Sequence, residues 1–370
     1  MDKNKIIVKS PGRINLIGEH IDYNGGLVMP AAIDKRLIIE ITPIQGETSL
    51  IISKLYRESF EIKMDSIKKS KVSWHNYIIG VLENLTIKKQ LQISNFHCII
   101  GGDLPVGAGV SSSSALICGF LRGLSILNSI DFNKEEIIQI AREVEHEFIG
   151  VKGGIMDQFT IMNGKKNQCI LLDCSNHSLK YVDVNFDRYQ ILLLNTNVKH
   201  NLSETSYNER VKECAEALKI INKKKNQYKY LVDVPLKVLF DSKSKLKDLL
   251  YNRSLFVIEE QKRVRDAYKS LLKNDIVTLG RLMYKSHQGL MNLYEVSCNE
   301  LDFLVEFSSM RKYVLGSRMM GGGFGGCVIN LIDKSYTEEY IEDVSLRYKE
   351  KFSIKLDSDI ISISSGLKFL

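Results

Sequence analysis

Two carboxylates, Glu145 and Asp157, lie on either side of the segment Gly150-Val151-Lys152-Gly153-Gly154, and Asp157 comes just past the glycine pair. Glycine beside a carboxylate lets a substrate approach closely. A carboxylate can take the proton of a hydroxyl nucleophile, and a hard divalent cation such as Mg²⁺ prefers oxygen ligands. Glu145 and Asp157 are therefore candidates for a metal ligand and a general base. The residues alone leave a second role open for each, a solvated helix face for Glu145 and a helix cap for Asp157. Another cluster, Arg13, Glu19, His20 and Asp22, crowds around the turn-rich Tyr23-Asn24-Gly25-Gly26. Carboxylates accept hydrogen bonds from sugar hydroxyls and His can donate one, which is the chemistry of a carbohydrate clamp. If the chain is extended here, Glu19 and His20 fall on opposite sides of it. A hairpin with its charges in water is the alternative.

A third segment, GGDLPVGAGVSSSSAL from Gly101 to Leu116, runs from a short apolar strand at 96–100 into Gly107, Gly109, four serines and an apolar-periodic helix beginning near Ser112. Such glycines let the backbone come close to a ligand, and the serines and free N–H groups of the helix start make an anion cradle with phosphate as its natural guest. A serine-capped helix after a glycine turn fits the same residues. Further on, SRMMGGGFGGCVINLID satisfies the GxGxxG spacing through Gly321, Gly323 and Gly326. A dinucleotide fingerprint should follow a strand and open a helix, whereas the apolar, β-branched 327–332 reads as a strand leaving the loop. With no HRD, DFG or Walker GxxxxGK[ST] sequence, the turn reads as a place for close backbone packing, over phosphates if these bind nearby.

These segments must be held by a framework of both strands and helices. Residues 6–9 read as a strand broken by Pro11 and Gly12, 37–41 and 51–52 as further strands, and 74–85 as a helix after Ser73. Trp74, the only tryptophan, either staples that helix to the core or stacks on a base. A helix over 134–148 carries Glu145. Strands are expected at 168–172 and 190–195 with a polar turn at 173–178, then a Ser/Thr/Asn-rich connection leads to a helix holding Tyr207 and Arg210. The Lys/Asn-rich 222–229 reads as a surface excursion and 255–272 as a long amphipathic helix. The change of texture places a boundary near residue 185, giving units of 1–185 and 186–370.

The chain of 370 residues is long enough for two domains, and 44% hydrophobic with 26% charged residues is the composition of a folded globular protein. A net charge of +7 spread along the chain favours anionic ligands. The clusters Lys68, Lys69, Lys71 and Lys223, Lys224, Lys225 lack the interleaved aromatics of a single-strand platform, so no nucleic acid is expected. Seven cysteines without a CxxC pair, mostly in apolar runs, fit reduced thiols in a cytoplasm. No stretch reaches the roughly 20 apolar residues of a membrane span, and neither membrane insertion nor export is expected.

With these segments in hand, the chain resembles the galactokinases of the GHMP small-molecule kinase family. PGRINLIGEHIDYNGG is similar to their galactokinase signature, LPVGAGVSSSSAL to their ATP loop, GGIMDQF to their catalytic segment and SRMMGGGFGGC to their third motif, in family order over residues 11–327. The resemblance implies an α+β fold with a mixed-sheet N-terminal domain, a ferredoxin-like C-terminal domain and the active site in the cleft between them. It implies transfer of phosphate from ATP to the anomeric hydroxyl of galactose. Asp157 and Arg13 match the catalytic pair, and Glu19, His20, Ile21, Asp22, Gly154 and Tyr207 the sugar contacts. Gly107, Ala108, Gly109, Val110, Ser111, Ser112 and Ser113 match the nucleotide loop, Trp74 a segment flanking the adenine pocket, and Ser113 and Glu145 the Mg²⁺ ligands. A monomer is expected. Ile21, Ser114 and Met320 depart from the family pattern, and a thioether at 320 in place of a threonine hydroxyl is expected to weaken a phosphate or water contact. The rival readings are a kinase of N-acetylgalactosamine or another sugar, and a galactose- and ATP-responsive sensor without turnover. The intact run Ser111–Ser114 speaks against the sensor.

Overall fold

The computed structural model describes residues 5–198, 203–224 and 227–370. The first half starts with β1 (Ile6–Asn15), β2 (Leu27–Val28), β3 (Pro30–Pro43), β4 (Ser49–Ser53) and β5 (Glu58–Ile62), and continues through α1 (His75–Glu83) and β6 (Phe96–Gly102). Next come α2 (Ser112–Leu127), α3 (Lys134–Glu143) and α4 (Met156–Asn163), and the hairpin of β7 (Gln168–Asp173) with β8 (Ser178–Asp183). The second half holds β9 (Tyr189–Asn195), α5 (Ser203–Ile221), α6 (Leu236–Asp241), α7 (Asp248–Leu272), α8 (Ile276–Gly289), α9 (Asn299–Ser309), β10 (Val314–Met320), β11 (Cys327–Asp333), α10 (Thr337–Phe352), β12 (Asp357–Ile361) and β13 (Lys368–Phe369).

The first half is built on a six-stranded sheet in the order β13-β1-β3-β6-β4-β5, mixed because β4 runs parallel to β6 while its other pairings are antiparallel. One face of it is apolar, with Val8, Ile39, Ile41 and Phe96 fully buried beneath α2, whose Ile117, Phe120 and Leu124 are equally buried. The second half has an antiparallel sheet in the order β10-β11-β9-β12, which is the ferredoxin-like arrangement of a strand, a helical excursion, a hairpin, a helix and a returning strand. Helices cover it because β11 is buried at every position and needs apolar partners on both faces.

Three sequence expectations change. β1 is not broken at Pro11 and Gly12 but continues to Asn15, because a register shift between Pro11 and Arg13 absorbs the residue that cannot donate to the ladder. The helix foreseen over 134–148 turns from α-helical to π-helical geometry at Val144, so Glu145 sits in a widened turn (Val144–Ile149). The cut at residue 185 falls in the β8–β9 connection, yet β13 returns to pair with β1 and Ile363 bridges to Ile33, so the tail belongs to the first sheet. Parts of the Ser/Thr/Asn-rich connection (199–202) and of the Lys/Asn-rich stretch (225–226) lie outside the described residues, as do residues 1–4. Among the described residues no helix is long and apolar enough to cross a membrane.

Candidate active site

Two cavities, of about 290 and 330 Å³, meet in the cleft, and both are lined by Arg13, Tyr77, Ser113, Gly321 and Gly322. The serine loop walls the larger one. Ser111, in the left-handed region at φ 59°, is the N-cap of α2 but makes no side-chain cap bond, so its hydroxyl does not take up the N–H groups of the helix's first turn. With the helix dipole behind them, they favour an anion. Gly107, Gly109, Ser111, Ser112 and Ser113 line this cavity, whereas Ala108 and Val110 turn into the core at 1% exposure. Those two supply backbone only: the Val110 carbonyl accepts from Arg13 N–H at 3.0 Å. At the far end Trp74 immediately precedes α1, its ring stacked on Tyr56 (centroids 5.1 Å, 8° between planes) and its Nε1 donating to Glu58 at 2.9 Å. It is both a buried staple and part of the cavity wall.

Between the cavities stand Arg13, from the bulged end of β1, and Asp157, from the first turn of α4. Arg13 Nε donates to Asp157 Oδ1 at 2.8 Å, Nη2 to Oδ2 at 3.1 Å and Nη1 to the Gly109 carbonyl at 2.6 Å. Ser111 Oγ also donates to Asp157 Oδ2. Burial works against the charge on Arg13, but the carboxylates of Asp157, Glu19 and Asp22 outweigh it and raise its pKa. Asp157 is not a cap, since Ile155 holds that position. Nor does Glu145 face solvent. Its Oε1 accepts from Ser114 Oγ at 2.6 Å and its Oε2 from Gln158 Nε2 at 2.5 Å. Burial, with the charge of Asp157, pushes Glu145 up to about 7. Ser114, one of the departures from the family pattern, thus holds the candidate metal carboxylate. Ser113 and Glu145 line the same cavity and offer only oxygen, the donor that Mg²⁺ prefers. Among the described residues no group of three His, Cys, Asp or Glu side chains forms a metal cage. The donor set fits Mg²⁺.

The loop between β1 and β2 builds the smaller cavity, and it is not extended, because His20 is left-handed (φ 62°) within a run of turns. Glu19 is buried, and its Oε1 accepts from Arg318 Nη2 and from Gly321 N–H, both at 3.0 Å. The two nitrogens of His20 are also engaged internally, Nε2 with the Gly322 carbonyl at 3.2 Å and Nδ1 with Tyr23 OH at 2.9 Å. That pattern puts the proton on Nε2, and burial drives the ring's pKa down to about 3, so it is neutral. The donor expected for a sugar is therefore already used. Ile21 is a second correction: its side chain is fully buried in the core and lines neither cavity. Asp22 does face the cavity, and burial, then the nearby Asp157 charge, pushes it up to about 7, so near neutrality it can donate as well as accept. Gly154 is required beside it, since a Cβ there would sit 2.3 Å from Asp22 Oδ2. Tyr207 closes the wall, its ring 5.2 Å from that of His20. Met320 is buried in the core and lines neither cavity, so its thioether replaces no contact there.

Sequence reasoning missed Arg318, Gln158, Tyr56 and Glu58. Arg318, fully buried in an apolar strand just before the glycine turn, carried a signal, because a buried guanidinium needs a carboxylate. Gln158 stood next to Asp157, but its partner Glu145 lies 13 positions earlier, in the π-turn.

The family models "GHMP kinases N terminal domain", "Galactokinase galactose-binding signature" and "GHMP kinases C terminal" match residues 76–165, 1–43 and 267–350. A galactokinase of Thermotoga neapolitana is 38% identical over 361 residues, covering 98% of this chain and 99% of the relative, and one of Fusobacterium nucleatum is 37% identical, covering 96% and 93%. The crystal structure of Lactococcus lactis galactokinase complexed with galactose superposes with a TM-score of 0.93 at 31% identity, covering 99% of this chain and 95% of that one. The Methanococcus jannaschii mevalonate kinase shares the fold alone (TM-score 0.70, 19% identity, covering 99% and 100%).

Proposed function

The chain belongs to the galactokinases of the GHMP kinase family and is an ATP-dependent sugar kinase; from that premise we propose how its residues carry the γ-phosphoryl group of ATP to the anomeric hydroxyl of α-D-galactose. The products are galactose 1-phosphate and ADP. The observation that carries the assignment of roles is the Arg13–Asp157 pair, standing where the two cavities meet.

In this reading the nucleotide occupies the larger cavity, its base toward Trp74 and Tyr56 and its phosphates against Gly107, Gly109 and the serines at the start of α2. Galactose occupies the smaller cavity, against Asp22, Glu19 and Tyr207. Asp157 accepts the proton of the anomeric hydroxyl as its oxygen attacks the γ-phosphorus, while the bond from that phosphorus to the bridging oxygen of ADP breaks. Arg13, held by Asp157 and the Gly109 carbonyl, offsets the charge on the transferring group. Ser113 and Glu145 would hold Mg²⁺, which when bound neutralises phosphate charge. Seven free thiols, six of them buried, fit the reducing cytoplasm expected from the sequence.

Phosphorus NMR of the product tests the regiochemistry. The phosphorus signal should couple to the anomeric proton of galactose; coupling to the C6 protons would overturn the assignment.

A further inference from the structure

The loop that carries Glu19, His20 and Asp22 is tied at its base by its own backbone: Leu16 N–H donates to the Met29 carbonyl at 2.9 Å and Met29 N–H to that of Ile17 at 3.1 Å. Inside that base it is held again, by two consecutive residues of α7 from the other half of the molecule. Glu260 Oε1 accepts from Gly18 N–H at 3.0 Å, and Gln261 Oε1 accepts from Leu27 N–H at 2.8 Å. Gly18 directly precedes Glu19, and Leu27 follows the last turn of the loop.

The clamp is itself fixed. Glu260 is fully buried, with Arg263 Nε on its Oε2 at 2.6 Å and Ser286 Oγ on its Oε1 at 2.6 Å, and Gln261 is 7% exposed. A buried carboxylate without such partners would be costly, and with them it is a rigid acceptor. α7 also lies flush on the loop. Gly18 has φ +106°, and a Cβ there would meet the Leu27 carbonyl at 2.9 Å and Val264 Cγ2 at 3.0 Å. Between the two clamped residues the turns close on themselves, with Asn24 and Gly26 N–H both on the Ile21 carbonyl and Gly25 N–H on that of Asp22. The loop is thus an internally set unit, held at its middle through Glu19 and His20 by Arg318 and the 321–322 turn and at its two ends by α7.

We propose that Glu260 and Gln261 are positioning residues for sugar recognition, a two-point clamp by which the C-terminal half sets where Glu19 and Asp22 stand. The proposal rests on the reading of this loop as the sugar site. Arg13 and Asp157 hold each other from β1 and α4 through bonds that do not involve α7. Loss of the clamp therefore separates sugar affinity from turnover and from nucleotide affinity.

Gln261→Leu removes the acceptor for Leu27 N–H at similar volume, Gln261→Asn shortens it out of reach with less cost to folding, and Gln261→Glu keeps an acceptor in place. Calorimetric titration of galactose into the nucleotide-free, full-length protein, with steady-state kinetics, reads the result. A lost buried hydrogen bond of about 1 to 3 kcal/mol that is felt in binding raises Kd by about fivefold or more. The galactose Kd and KM should rise by at least that factor in the Leu and Asn variants, with kcat and the ATP KM within about twofold, and the Glu variant should return to within about twofold of the parent. A galactose Kd unchanged in both the Leu and Asn variants, even with a lowered Tm, would reduce Gln261 to a structural residue and overturn the proposal. Failure of the unmodified protein to bind galactose would overturn the sugar reading itself, and the clamp with it.

Discussion

Asp157 receives two donors from Arg13 and one from Ser111, and a carboxylate held through both oxygens keeps a single orientation toward whatever sits beside it. Asp157→Asn preserves the shape and removes the proton acceptor, so kcat should fall by at least about 10²-fold while the galactose Kd stays within about threefold. Rapid-quench turnover measurements check this, and near-parent turnover would remove Asp157 from the role of base. This residue was legible in the sequence because its neighbours Gly153 and Gly154 signalled close approach. His20 was legible only as a donor. That Tyr23 and the Gly322 carbonyl use both of its nitrogens follows from a loop returning 302 positions later, which spacing does not reveal. Glu19 was read as a free acceptor for the same reason, its partner Arg318 lying 299 positions away.

At the scale of elements, the site depends on how tightly the segment before α4 sits on the loop between β1 and β2. Gly154 leaves no room for a Cβ beside Asp22, and Gly154→Ala must push that carboxyl aside. The expected outcome is a galactose KM at least about tenfold higher with an ATP KM within about twofold, read from initial rates with each substrate varied. Equal changes in both constants would mean that the substitution disturbs α4 rather than Asp22. The helix after the serine loop was readable from periodicity and the strand after the glycine turn from its apolar, β-branched run, and the turn is indeed a packing device, with Gly321 N–H on Glu19 and Phe324 N–H on the Val296 carbonyl. β13 was not readable: two residues, Lys368 and Phe369, carry no period, and only their pairing with β1 makes them a strand. The run of β1 through Pro11 was hidden too, because a bulge is a property of two strands together.

At the scale of the whole molecule, Asp22, Glu145 and Asp157 line one cavity of the cleft, and the burial of Asp22 beside the Asp157 charge ties stability to pH. Asp22 is raised from 3.8 to about 7 by burial and then by the Asp157 charge. A carboxyl with a raised folded-state pKa contributes stability that is full below its unfolded value and is lost as pH rises from about 4 through about 7. The Tm of the ligand-free protein should therefore fall more between pH 5 and pH 8 than that of Asp22→Asn, whose side chain stays neutral throughout. Parallel Tm profiles from calorimetry would show that burial does not hold the proton on Asp22. In the proposed reading the same groups also select the substrate. A site that pairs particular hydroxyls with buried carboxyls leaves one of them unpaired when a hydroxyl is inverted, a loss of about 1 to 3 kcal/mol or more for a charged group. The most direct measurement is kcat/KM by coupled ADP release across galactose, glucose, N-acetylgalactosamine and mevalonate at saturating ATP. Galactose should exceed glucose by at least about tenfold and lead the panel; glucose matching galactose, or N-acetylgalactosamine or mevalonate surpassing it, would contradict the account.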